Sequence, residues 1–134
     1  MPAATPYTTP GAIGYIELAY ALQTDMPYAT LVNSSGALVA PSIASVRAAA
    51  AADPDVSSTR YSIVNAPGKS SYPLAGYTWA LLYKHDGDAA KQAALCKLFH
   101  WVEGDGQKVA PSIDYVDLPP SVSARAASTL GACR

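Results

Sequence analysis

Residues 76–103, GYTWALLYKHDGDAAKQAALCKLFHWVE, read as strand, turn and helix in direct succession. Gly76–Lys84 is aromatic, apolar on both faces and about as long as a buried strand. Asp86-Gly87-Asp88 supplies the turn, with Asp88 placed to cap a helix over about 89–103. In that helix Leu95, Leu98, Phe99 and Val102 recur at i, i+3, i+4 and i+7, a stripe meant for a core. The pattern predicts a central strand with Trp79, Leu81 and Leu82 buried and the helix packed on it. Gly104 and Gly106 then punctuate the helix end, where a positive φ would suit them.

The flanks extend the alternation. Residues 12–16 read as a short buried strand with Gly14 at its centre, and a helix follows over about 17–24. Tyr28–Asn33 and Ala37–Ala40 are β-prone runs joined by Ser34-Ser35-Gly36, a hairpin turn. Pro41-Ser42 opens a helix over about 42–52, capped by Ser42 and favoured by its alanine run. Asp53 to Thr59 breaks it, and Tyr61–Val64 reads as a brief strand. The loop at 65–73 is the one internal boundary, and Pro119-Pro120 opens a last amphipathic helix with Val122, Ala126 and Leu130 on one side. Strands alternating with helices argue an α/β fold.

Composition sets limits on that fold and its partners. The chain has 134 residues and is half apolar, but 26 of its residues are alanine, so its core is thin. A thin core implies that some apolar faces pack against something outside the chain. Net charge is −1, and the lysines form no cluster with aromatics, which argues against a nucleic-acid partner. No apolar run approaches the ~20 residues of a membrane span. The start, MPAATPYTTPG, has no basic and then apolar region of a secretion signal.

Candidate chemistry is sparse. Cys96 and Cys133 are the only cysteines, leaving one disulfide or two thiols open as alternatives, and no Cys/His set points to zinc. Gly68-Lys69-Ser70 imitates the end of a phosphate-binding P-loop, but Ile63 stands where the first glycine belongs. His85 and His100 have no nucleophile elbow to serve, so an enzyme is not expected. Asp53/Asp55 and Asp86/Asp88 match neither a calcium loop nor a glycosidase pair. Asn33-Ser34-Ser35 matches a glycosylation sequon, a pattern short enough to recur by chance. No metal, cofactor or catalytic residue is expected.

Five motifs in fixed order carry a resemblance. They are GAIGYIELAY (11–20), NSSGALVAPS (33–42) with the AAA that follows, SYPLAGYTW (71–79), LFHWVEGDGQKVA (98–110) and YVDLP (115–119). Together they resemble the C-terminal part of the periplasmic phosphate-binding protein of phosphate ABC importers, over about 11–118. The resemblance implies the C-terminal portion of a two-lobed periplasmic-binding-protein-like fold that closes on its ligand about a hinge. Residues 1–72 would end the second lobe, 73–134 would return to complete the first, and the chain would cross between lobes at Tyr72-Pro73. Inorganic phosphate and a membrane permease are the implied partners, in the periplasm or another extracytoplasmic space. The family's phosphate ligands lie in N-terminal segments, and no match for them occurs here. Ser34, Ser35 and Gly36 could cradle an anion. They align, however, with a turn of the family rather than with its anion-binding Ser-Gly-Thr. The expectation is a phosphate-binding component present as its C-terminal part, unable to bind phosphate without the missing N-terminal half. The alternative is an autonomous interaction or scaffold domain that kept the fold and lost the ligand.

Overall fold

Serine chemistry at residues 42–45 starts the longest helix of the first half. In the computed structural model, which describes residues 9–53, 55–57, 59–83 and 87–131, this helix (α2) spans Ile43–Ala52. Ser42 Oγ accepts from the Ser45 amide at 3.0 Å, and Ser45 Oγ accepts from the Ser42 amide at 2.9 Å. This reciprocal pair satisfies two amides that the first turn leaves without helical partners. Ser45 Oγ also donates to the Ala40 carbonyl at 2.9 Å, tying the helix to the strand before it. That strand, β2 (Leu38–Val39), pairs antiparallel with β1 (Leu31–Val32), Leu31 opposite Val39 and Val32 opposite Leu38. The Ser34-Ser35-Gly36 turn joins them as expected, with Gly36 at φ +74°. A short helix, α1 (Leu18–Gln23), precedes the hairpin and buries Ala19 and Ala21.

The second half is helical. Asp88 caps α3 (Ala89–Glu103), its Oδ1 accepting from the Ala90 and Lys91 amides at 3.0 Å each. Two 3₁₀ turns follow, Asp105–Lys108 and Ala110–Ile113, and α4 (Pro120–Leu130) closes the described chain. Gln107 holds this half together: its Nε2 donates to the Val102 carbonyl at 2.8 Å and its Oε1 accepts from the Leu118 amide at 2.8 Å. Gly106 is needed for space, not for a positive φ: a Cβ there would lie 3.0 Å from the Trp101 carbonyl oxygen and 3.2 Å from its ring. Gly104 likewise has a negative φ, −105°.

The core is made of small groups. Ala49 and Ala50 of α2 meet Val56, Ile63, Ala66, Ala75 and Val122, with Val46, Tyr77 and Leu118 packed against them. Mixed helices and a small sheet agree with an α/β class, but three expected strands are not formed. Residues 12–16, 61–64 and 76–83 have no ladder partner among the described residues. Ile13 is 98% exposed and Leu81 95%, while Trp79 is half exposed, resting edge-on against Tyr61 and Tyr77. The physical reason is that a strand exists only by pairing. A segment apolar on both faces is coded for the middle of a sheet, and the described residues contain only a two-residue hairpin. The α3 stripe is corrected in part. Leu95, Phe99 and Val102 are half-buried, but Leu98 is 50% exposed, Cys96, outside the expected set, is the buried residue, and the helix packs against α4 and the first 3₁₀ turn rather than on a strand. The expectations for Lys84, His85, Asp86 and Cys133 lie outside the described residues.

Two outcomes follow from this packing. Ile63 is 1% exposed, so Ile63→Ala should cost about 2–5 kcal/mol in urea unfolding. Half-exposed Leu98→Ala should cost about 1 kcal/mol or less. Equal losses would contradict the assignment of the core.

Glu103, at the end of α3, provides the second. Its Oε2 is buried without a hydrogen-bond partner among the described residues, and burial pushes its pKa up from 4.5. The unfolded chain therefore releases this proton first, and stability falls as pH rises through the higher folded-state value. Glu103→Gln should flatten that fall above the ordinary value of 4.5 in thermal melts. Parallel pH profiles for the two proteins would refute it.

Candidate functional site

The three residues able to cradle an anion sit on the hairpin turn, and the Ser34 hydroxyl and the Ser35 and Gly36 amides are already used. The Ser35 and Ala37 amides donate to Asn33 Oδ1 at 3.0 and 3.1 Å, and the Gly36 amide donates to the Asn33 carbonyl at 2.9 Å. Ser34 Oγ donates to the Ala66 carbonyl at 3.4 Å. Asn33 is 5% exposed, and its Nδ2 donates in turn to the carbonyls of Gly68, Lys69 and Ser71 at 2.9, 3.2 and 3.0 Å. A buried amide must have its hydrogen bonds met, and this one is met on both atoms. The nitrogen that a glycan on the sequon would need is enclosed.

The same contacts bring the turn against the 65–73 loop and its candidate crossing residues. The Tyr72 amide donates to the Ser45 carbonyl at 3.1 Å, and the Tyr72 hydroxyl to the Ala29 carbonyl at 3.4 Å. Burial pushes the Tyr72 pKa up, so this hydroxyl keeps its proton. Pro73 is buried, and its carbonyl accepts from the Asn65 amide at 2.8 Å. Gly68-Lys69-Ser70 is a tight turn with Gly68 at φ +107°, and no helix follows it. Sequence reading missed Asn33. Its signal was an Asn directly ahead of a Ser-Ser-Gly turn, where an Asn side chain can accept from amides two residues on.

Cationic groups that could hold an anion are mostly paired. Arg47 pairs with Asp117, Arg60 grips both carboxylate oxygens of Asp53 at 3.0 Å, and Arg125 meets Asp55 at 2.7 Å. Lys108 pairs with Asp105 at 2.7 Å, raising the lysine pKa and lowering the aspartate's. Arg125 also donates to the Val56 carbonyl at 3.3 Å, joining α4 to the loop after α2. Tyr115 hydrogen-bonds Glu17 and has its pKa raised by that bond, linking the start of α1 to the chain before α4. A shallow depression of about 270 Å³ lies over Ala21, Leu22, Asp25, Met26, Pro27 and Tyr28. His100 is exposed on α3. Among the described residues no group of three His, Cys, Asp or Glu could hold a metal ion.

What this geometry builds is a braced scaffold: a turn, a loop and two helix ends held by amides and ion pairs. No family model matches the chain. Individual proteins do. A phosphate-binding protein PstS from Xylella fastidiosa is 42% identical over 115 residues, 84% of this chain and 31% of its own length. PstS from Pasteurella multocida is 35% identical over 113 residues, covering 83% of this chain and 33% of its own. The archaeal PstS of Methanocaldococcus jannaschii is 31% identical over 137 residues, 87% of this chain and 33% of its own. The chain therefore spans about a third of the length of these relatives. Similarity at this level across bacteria and an archaeon makes the chain a homologue of part of the phosphate-binding protein PstS.

Proposed function

We propose that this chain is the C-terminal part of the phosphate-binding component of a phosphate ABC importer, acting outside the cytoplasm and without catalysis. The observation that carries the reading is the match to several PstS proteins over more than four fifths of the chain. In this reading the fold is one part of a two-lobed binding protein. Residues up to 72 end the second lobe, residues from 73 return to the first, and Tyr72-Pro73 is the crossing. Among the described residues no helix is long and apolar enough to span a membrane.

Phosphate recognition is then shared with the rest of the binding protein. Micromolar affinity needs about 8 kcal/mol, and one hydrogen bond to a charged group nets only about 1.5–3 kcal/mol. Several convergent donors are required. The amides of Ser35, Gly36 and Ala37 are spent on Asn33, and Arg47, Arg60 and Arg125 are matched by aspartates. Calorimetry on the isolated chain should give no saturable phosphate binding at micromolar concentration. Supplying the remaining two thirds of a relative in trans should restore it. One-to-one binding by the chain alone would overturn the shared-site reading and direct mutagenesis to Ser34, Ser35 and Gly36.

A second reading is an autonomous interaction or scaffold domain that keeps the fold without the ligand. The exposure of the large apolar side chains Ile13, Tyr15, Leu81 and Tyr83 favours it, since they are suited to contact with another protein. Complex formation with the complementary two thirds and no phosphate binding would select this reading over the first.

A further inference from the structure

The loop 65–73 is closed at its base by the Asn65 amide donating to the Pro73 carbonyl at 2.8 Å. Inside it Ser71, 1% exposed, donates from Oγ to the Pro67 carbonyl at 2.7 Å and from its amide to the Gly68 carbonyl at 3.2 Å. The loop turns so tightly that three carbonyls, those of Gly68, Lys69 and Ser71, converge on one point. The Ser71 carbonyl is buried and needs a donor, and the loop's own amides do not reach all three. Asn33, 35 residues away in sequence from Gly68, supplies both of its Nδ2 protons there. Its Oδ1 meanwhile accepts from the hairpin turn. Aspartate would keep the acceptor and lose the donors, and serine has only one donor.

We propose that Asn33 is a positioning residue that fuses the 33–37 turn, the 65–73 loop and the start of α2 into one rigid unit. The chain then leaves that unit at Pro73 in a fixed direction. This deepens the reading of Tyr72-Pro73 as a lobe crossing: the crossing is stiff on its N-terminal side, and any movement between lobes is taken up beyond it. The Tyr72 amide on the Ser45 carbonyl completes the brace, because Ser45 is also the capping partner of Ser42.

Native-state hydrogen exchange tests the brace without reference to phosphate, so its failure and failure of the functional reading are separately visible. In the unmodified chain the amides of Ser35, Ala37, Asn65 and Tyr72 should converge on one opening isotherm as denaturant is raised. Separate isotherms for turn and loop would overturn the proposal. In Asn33→Asp the Asn65 and Tyr72 amides should exchange at least about tenfold faster, with those of Ala90 and Lys91 at the start of α3 changed by less than about twofold. Unchanged rates, or equal acceleration at both places, would overturn it as well. Should that variant fail to fold, the isotherms of the unmodified chain still decide.

Discussion

The amide of Asn33 is the constraint on which the first half of this molecule depends. It is 5% exposed, and its five hydrogen bonds tie the 33–37 turn to the 65–73 loop, with only the longer Ser34 Oγ–Ala66 bond of 3.4 Å beside them. An unsatisfied buried donor or acceptor costs about 1–3 kcal/mol, against a total stability of about 5–15 kcal/mol for a domain. The turn, the loop and the amide are therefore stable together or not at all. The brace continues through Tyr72 to Ser45, and from Ser45 to the cap of α2, whose Ala49 and Ala50 form the floor of the core.

That polar brace matters more here because the apolar one is slight. Alanine and valine dominate the core, and Ile63 is its largest fully buried side chain. At about 25 cal/mol per Å² of buried apolar surface, such groups contribute little each. The ion pairs do not compensate. Arg47–Asp117, Arg60–Asp53, Lys108–Asp105 and Arg125–Asp55 all lie at the surface, where a pair is worth about 0–1 kcal/mol. The Arg125–Asp55 pair acts on geometry, fixing how the loop after α2 meets α4.

Large side chains are meanwhile left outside. Ile13, Tyr15, Leu81 and Tyr83 lie on extended segments with the composition of buried strands, and the chain corresponds to about a third of its relatives. Family membership and local fold thus have different sources. The first comes from similarity that runs through both ordered helices and unpaired segments, the second only from contacts available within these residues.

Local rules were legible in the sequence wherever the interaction partner was close by. Ser42 and Asp88 are caps, Gly36 sits at positive φ in its turn, and Pro120 opens α4, all because a few neighbouring residues settle such geometry. The order of motifs was legible too, and with it the kinship to phosphate-binding proteins. Three things were decided only by tertiary structure. Residues 76–83 have every local mark of a strand but no ladder partner, since pairing is a property of two segments and not of one. The α3 stripe could not announce that its neighbours would be α4 and a 3₁₀ turn rather than a strand. Asn33 looked like part of a turn or a sequon, because its three distant acceptors at 68, 69 and 71 converge only once the loop has folded against it. A side chain's role is visible in sequence when its partners are local, and emerges only in the fold when they are far along the chain.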